Sequence, residues 1–578
     1  MLERFWQSWG IQSVTRVHSL ISGVSIPCIL MGVLLFAASL TPSLIPREPM
    51  VQGILGGLLI ALGYLLGKTF GLIWQAADMP RLQGRPARLL DMVLAVTAVI
   101  LMVWTVTFNL SWQNDLRNKM EMEPAEAQYL ATILISALLT FAVIFIIGIL
   151  VRELFLWVRR HFYRFMPMRR ANVFGAATVV LILFVVTRDG ILDLAVTWLD
   201  ESYEIAQELF DVAPPPPAKA NKTGSASSLV DWKAIGRPGR DFIMTGPDAD
   251  AISAFTGKPA LDPIRVYVGR ANGETPEERA ELALAELKRL KAFEREVLIV
   301  TSPTGTGWMD PGAHDPVEYM HNGNIATVGA QYSYLQSPLA LILETRTGLD
   351  QATALLKVVH EYWMKLPKEN RPRLYVHGLS LGAWSSMYAT NLFRLVGDPI
   401  DGAFWAGPPF TSGFWQYVQN ARRPDSPWVL PTIGDGSLVR YASHFSTPTQ
   451  AEAEWGSMRI VFLQYSSDPI VFYDPFSLWR APPWMNDPPA EDVSEHLTFI
   501  PIVTQFQLAL DMALAFGTPP GHGHAYYARD YIDPWVEVTA PEAWTSEKTE
   551  RLKAHCNVGF QFGCAGQKVP GGSGSFGN

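Results

Sequence analysis

Apolar residues crowd the first third of the chain into five blocks, near residues 20–41, 51–74, 89–112, 128–151 and 171–188. A helix needs about 20 residues to cross a bilayer core, and each block reaches or approaches that length. The first block is too long for the apolar part of a leader, and four more follow it. The pattern therefore predicts a transmembrane helical domain of about five spans over residues 1–190. Gly63, Gly67 and Gly71 recur every four residues, a spacing that lets a neighbouring helix come close. Packing inside the bundle is the expected use, with homo-oligomerisation through these helices as the alternative.

The pattern then changes. Residues 191–210, "ILDLAVTWLDESYEIAQELF", space their apolar positions as a helix does and set acidic residues opposite them, which predicts an interfacial helix. "VAPPPPAKANKTGSASS" ends regular structure, stiffened by its prolines and loosened by its Gly/Ser half. Residues 191–229 thus read as an interfacial helix and linker, and residues 230–578 as a second domain. There, apolar runs at 263–269, 295–302, 324–335, 401–407 and 457–467 alternate with helical patterns at 276–290 and 349–366. Strands separated by helices of that length predict a mostly parallel sheet covered on both faces, with sites at the carboxyl ends of its strands.

Charge orients the membrane part. Arg4 and Arg16 precede the first block, Arg81, Arg85 and Arg88 follow the second, and six arginines between Arg152 and Arg170 follow the fourth. The alternate loops hold only Arg47 in one and Arg117 with Lys119 in the other. With the basic loops cytoplasmic, five spans put the second domain outside, as in a multi-pass protein of a bacterial inner membrane. Lys68 and Asp91 fall towards the cytoplasmic ends of their spans, where a charge reaches the interface; no acid–base chain of the kind a pump needs is visible. The net charge of −8 excludes a nucleic-acid binder. None of the three cysteines forms CxxC and no HExxH occurs, so neither a metal nor another cofactor is expected.

Candidate chemistry begins at "YVHGLSLGAWSS", residues 375–386, where a strand pattern runs into Gly378-Leu379-Ser380-Leu381-Gly382 and then into a helix pattern. Small residues flanking a serine at such a junction fit a strained turn that projects a nucleophilic hydroxyl; the plain alternative is a turn that needs small residues. A serine nucleophile requires a base, and the base an orienting acid. Asp468 follows the apolar run "RIVFLQY" in "SSDPI"; Asp435 and Asp474 are rivals without such a run before them. "GHGHAY" supplies His524, with His522 as the alternative base. His360, His377 and His444 come too early in the chain for the order Ser, Asp, His. The backbone N–H of Leu381 and those of Thr304, Gly305 and Thr306 in "SPTGTGW" are candidates for an oxyanion hole. Phosphate cradling is the competing use of that glycine-rich loop, but no P-loop lysine follows it.

Taken together, "SLTPSLIPR", "GRPGRDF", "PIRVYVG", "PTGTGW", "QYSYL", "GLSLGA", "GPPF", "SDPI" and "GHGHAY" resemble the bacterial membrane-anchored alpha/beta-hydrolase family 9. The resemblance implies a serine hydrolase domain behind a multi-helix membrane domain. Some members are associated with hydrolysis of aminoacylated phosphatidylglycerol, which makes membrane lipids, and a lipid-linked ester in particular, the expected partners. Leu379 departs from the polar residue that many hydrolases of this clan carry before the serine, which puts fine specificity in doubt. An acyltransferase would use the same residues, and a non-catalytic lipid-binding or transport protein is the reading from another class. Cys556 and Cys564 are close enough in sequence to close a small loop, and an external domain permits their oxidation to a disulfide.

Overall fold

A computed structural model describes residues 26–80, 84–126, 128–187, 214–334, 345–390, 397–448, 451, 453–557 and 563–564. They fall into two compact units. One comprises the chain up to Thr187 together with Pro475–Ala481 and Ser494–Leu510, and the other holds the remainder. The expected domain boundary at residue 190 therefore has two exceptions, both from far downstream. The segment 191–210 lies outside the described residues.

The first unit contains α1 (Ile26–Ser39), α2 (Pro49–Ala76), α3 (Arg85–Lys119), α4 (Tyr129–Tyr163) and α5 (Met168–Val185). Four of these, α2 to α5, are long and apolar enough to cross a membrane, so the described span count is four and not five. Of the first block the structure describes only α1, whose 14 residues are fewer than a span needs. Pro42 and Pro46 stop the helix from continuing past Ser39.

The segment between α1 and α2 is buried, and its polar groups find partners. Gln52 donates to the carbonyl of Ser39, Asn109 to that of Leu40 and Gln507 to that of Thr41, at 2.7–2.9 Å. The Arg47 side chain, which the sequence offers as a loop charge, is buried and reaches Gln52 and Ser43. Of the three spaced glycines, Gly63 lies against Gly32 and Gly67 against Cys28, where a Cβ would come within 2.6 and 2.8 Å of backbone. A Cβ on Gly71 would meet nothing. Within this unit α10 (Val503–Ala513) places Val503 against Leu55 and Leu59.

The second unit is an α/β domain built on a seven-stranded, all-parallel sheet in the order β1-β3-β2-β4-β5-β7-β6. The strands are β1 (Ile264–Val268), β2 (Val297–Ser302), β3 (Ile325–Ala330), β4 (Arg373–Leu379), β5 (Gly402–Ala406), β6 (Val439–Ala442) and β7 (Arg459–Leu463). β1, β2, β3 and β5 are buried at every position, which is why they read as largely apolar runs and not as alternation; the exception, Arg265 on β1, is buried in pairing with Asp315 and Glu318. The edge strand β6 escapes the sequence pattern because four residues are too few to show a period.

Helices at Pro276–Arg289 (α6), Pro311–Met320 (α7), Thr345–Trp363 (α8), Leu381–Ala389 (α9) and Ala528–Thr539 (α11) accompany the sheet. Thr275 caps α6 by accepting from the Glu278 N–H. Apolar residues of α7 and α11, with Trp535 at the centre, join Ile299, Phe404 and Val461 in one core. The Gly/Ser half of the linker is packed and not loose. Ser228 donates to Glu286 of α6, Arg289 to the carbonyl of Ala220, and Trp232 to that of Pro214.

Cys556, at the end of the last described helix, is bonded to Cys564, and both are buried. The purified protein is expected to take up an alkylating agent at these two positions only after reduction. Full alkylation of unreduced protein would contradict the pairing.

Candidate active site

The turn from β4 into α9 carries Ser380, which has φ +57 and ψ −126, a conformation rare for any residue with a Cβ. Such a turn costs of order 1–3 kcal/mol and survives only where its surroundings enforce it. They do so here. The Ser380 N–H donates to the carbonyl of Ala406 on β5, and its carbonyl receives the Trp384 N–H of α9. The flanking glycines permit the crossing: a Cβ on Gly378 would lie 2.3 Å from Gly382, and one on Gly382 would lie 2.1 Å from the Ser302 carbonyl. The first turn of α9 thus rests on the carboxyl end of β2. Leu381, in that turn, has no residue four positions before it within the helix to take its N–H.

The loop beyond β2 is a tight turn in which the Thr304 N–H donates to the Trp308 carbonyl and the Gly307 N–H to the Thr304 carbonyl. Thr304 therefore drops out as an oxyanion donor, because its N–H is already engaged; Gly305 and Thr306 occupy the tip. Gln331 of the "QYSYL" segment steadies that tip by donating to the Thr306 carbonyl, and Tyr267 does so by donating to that of Gly307.

Asp468 stands at the end of β7 and is fully buried. One carboxylate oxygen receives the N–H groups of Ile470 and Val471. The other receives His524 Nδ1 at 2.7 Å and the Tyr526 hydroxyl at 2.8 Å. His524 is equally buried; the nitrogen on its far side, Nε2, has no hydrogen-bond partner among the described residues. The loop holding it needs its glycines, with φ +94 at Gly521 and +55 at Gly523. A further glycine, Gly407 after β5, clears space for the ring. Its φ is +51, and a Cβ there would sit 2.7 Å from His524 Cε1 and from the Tyr526 ring.

His522 points elsewhere. Its Nδ1 lies 3.4 Å from Asp492, which also accepts from Ser466 and Ser467. Ser467 in turn receives the Gly523 N–H at 2.9 Å, so it ties the aspartate loop to the histidine loop. Burial raises the pKa of Asp492, but the hydrogen bond from His522, the nearby His444 and the two serines outweigh it and hold the carboxyl below its usual range. His444, Asp492 and His522 bring their donor atoms within 4.8 Å of one another, a spacing a divalent ion could use. With both carboxylate oxygens engaged by hydroxyl groups, the cluster reads instead as a brace behind the Asp468–His524 pair.

The remaining candidates are placed apart. His377 lies beneath the turn, bonded through Nδ1 to the Phe404 carbonyl, its pKa lowered to about 4 by burial. His360 contacts the Asp398 carbonyl, and Asp435 accepts from Ser437 in an exposed turn. Sequence reasoning missed Asp492, Tyr526 and Gly407. The last two sit inside "GHGHAY" and "GPPF", so the motifs flag them without explaining them; "PAEDVSEH" gives no sign of Asp492.

A parallel sheet with a serine on a positive-φ turn after β4, and a buried Asp–His pair from later loops, has the form of an alpha/beta-hydrolase domain. Residues 264–552, half the chain, match the model of the Alpha/beta-hydrolase family, and residues 40–247 match the model of that family's N-terminus; the chain belongs to this family. Neither a curated protein nor a solved structure matches it.

If the histidine is held as described, Gly407→Ala should slow fluorophosphonate labelling of Ser380 by about a hundredfold, the cost of a misplacement near 1 Å. Asp492→Asn, which keeps the shape but not the charge, should slow it about tenfold and leave KM for a short chromogenic ester unchanged. Unaltered labelling in both variants would remove Gly407 and the brace from the site.

Proposed function

We propose that the protein is a membrane-anchored serine esterase that cleaves a lipid-linked ester at the outer face of a bacterial inner membrane. The observation that carries this reading is the buried Asp468–His524 pair, whose Nε2 has no hydrogen-bond partner among the described residues. Asp468 fixes the proton on Nδ1 and turns Nε2 into the acceptor. Ser380 Oγ attacks the ester carbonyl as His524 Nε2 takes its proton. The tetrahedral oxyanion is met by the N–H of Leu381 and by those of Gly305 and Thr306. His524 then protonates the leaving alkoxide, and water attacks the acyl-enzyme with the same base in reverse. Tyr526, through its hydroxyl on Asp468, is a positioning residue.

Counting four spans does not alter the proposed side. In this reading α2 to α5 each cross the membrane, so the connections after α2 and after α4 share one face and the chain leaves α5 on the other. Basic residues gather around both connections, at Arg81, Arg85, Arg88, Arg159, Arg160, Arg164, Arg169 and Arg170, so the positive-inside rule assigns that face to the cytoplasm. The catalytic unit then lies outside whether or not α1 spans. A membrane domain of this size favours a lipid-borne substrate over a soluble one, since one span would suffice as a tether. The family resemblance makes aminoacyl-phosphatidylglycerol the substrate of choice.

Ser380→Ala should abolish probe labelling, and His524→Ala and Asp468→Asn should each lower turnover by at least about a thousandfold. In mixed micelles the protein should release amino acid from aminoacyl-phosphatidylglycerol. Turnover of short soluble esters alone would sink the lipid assignment. A reporter fused after residue 230 should be active outside the cytoplasm, and protection of the catalytic unit from protease in spheroplasts would reverse the orientation.

A further inference from the structure

Two stretches far behind the linker, 475–481 and 494–510, belong to the helical unit. Their depth follows from α2. Glu48, just before that helix, lies 3.3 Å from Arg117 near the end of α3 and is largely exposed, so it marks a polar level at this end of the bundle. Leu55 and Leu59 stand about 10 and 16 Å further along the helix axis. The polar zone of a bilayer is only about 5–8 Å thick on each side, so both leucines reach hydrocarbon depth. Val503 is fully buried against them, and Ile500 and Leu510 pack onto the same cluster. The downstream chain therefore dips below the polar level. It does not cross: α10 has 11 residues, about half of what a span needs.

The stretch 475–481 runs beside it. The Ile502 N–H donates to the Leu478 carbonyl at 2.8 Å, and Ser477 Oγ donates to Gln505 Oε1 at 2.6 Å. At this level the described chain leaves large apolar side chains uncovered. Trp479 is 64% exposed, and Leu478 and Phe506 are each 37% exposed. Phe506 shares a groove with Leu58 of α2, itself 43% exposed, so the uncovered area runs on into the outward side of a span. The Trp479 ring meets that of Phe476 edge-on, with centres 5.8 Å apart. Facing water, such a patch would invite aggregation. At a bilayer boundary it is the expected composition, because tryptophan joins a large apolar body to one polar edge.

We propose that 475–481 and α10 form a second membrane contact, a non-spanning insert whose Leu478, Trp479 and Phe506 meet lipid in the leaflet entered by the start of α2. The partner is the lipid surface itself, through its acyl chains and the boundary above them, and no particular headgroup is required. In the orientation proposed above, that leaflet is the outer one. The sequence that follows the linker then has its own hold on the bilayer.

Spin labels test this in the full chain. Cys28 is the one unpaired cysteine, so Cys28→Ala with the Cys556–Cys564 pair intact leaves a single introduced cysteine to carry the nitroxide. Labels at Trp479→Cys and Phe506→Cys are compared with Leu139→Cys, 64% exposed on α4, and with Glu294→Cys, whose side chain is 70% exposed ahead of β2. The first standard reports lipid and the second water. The protein is reconstituted in vesicles of phosphatidylethanolamine and phosphatidylglycerol, and accessibility to oxygen and to a water-soluble nickel chelate is measured by power saturation. Both test positions should match Leu139→Cys towards oxygen and fall at least about fivefold below Glu294→Cys towards the chelate, as burial in a bilayer boundary requires. Leu478→Cys reads the same level should Trp479→Cys misfold. Chelate accessibility equal to that at Glu294→Cys would put the patch in water. Low accessibility to both reagents would show that protein covers it, from this chain or a second copy. Either result at either position overturns the proposal. The readout involves no turnover, so it stands or falls apart from the esterase reading.

Discussion

The second unit is organised around one carboxylate that has lost its water. An ionised aspartate in a dry interior is costly unless every acceptor position is filled, and Asp468 meets that condition with four hydrogen bonds. Two come from the turn that follows it and two from a loop more than fifty residues away. The distant pair is the informative one, because satisfying Asp468 also fixes the rotamer and tautomer of His524. Tyr526 stacks on Tyr465 with ring centres 4.3 Å apart, which anchors the hydroxyl that shares the carboxylate. Gly407 is a glycine because these two rings take the space of its missing side chain.

The helical unit solves the same problem with neutral groups. Where α1 ends, carbonyls of the "SLTPSLIPR" segment would face an apolar surrounding without partners, which hydrocarbon does not tolerate. Side-chain amides from three separate places, Gln52, Asn109 and Gln507, supply the missing donors. The third comes from a segment more than 450 residues downstream. This gives a structural reason for the three amides, all of which lie outside the motif whose carbonyls they satisfy.

What could be read from the chain beforehand follows from how locally each feature is encoded. The parallel sheet was legible because its central strands are buried on both faces and so appear as apolar runs bounded by helices. Ser380 was legible because its turn needs glycine two positions away on each side. The preference for His524 over His522 had no such local basis. Both histidines share one loop, and the choice depends on which of them faces Asp468 and which faces Asp492. Thr304 was misjudged as a donor because a turn hydrogen bond to Trp308 leaves no trace in composition. The first apolar block ends close to where its pattern does, at Ser39 ahead of two prolines, and only its part from Ile26 lies among the described residues. Asp492 was invisible for the plainest reason: its partners are all distant in sequence.

The distribution of the chain between its units also bears on what a single cut would leave. It passes from one to the other after Thr187, Asp474, Ala481, Val493 and Leu510, which is five passages and not the single one a tethered domain would have. A protease that cut only the proline-rich stretch would divide the polypeptide into two fragments. The larger fragment would still own Val503, seated against Leu55 and Leu59, and Gln507, bonded to Thr41. The helical unit is therefore itself a two-fragment assembly after such a cut, its downstream segment held to its helices by contacts that do not run through the linker.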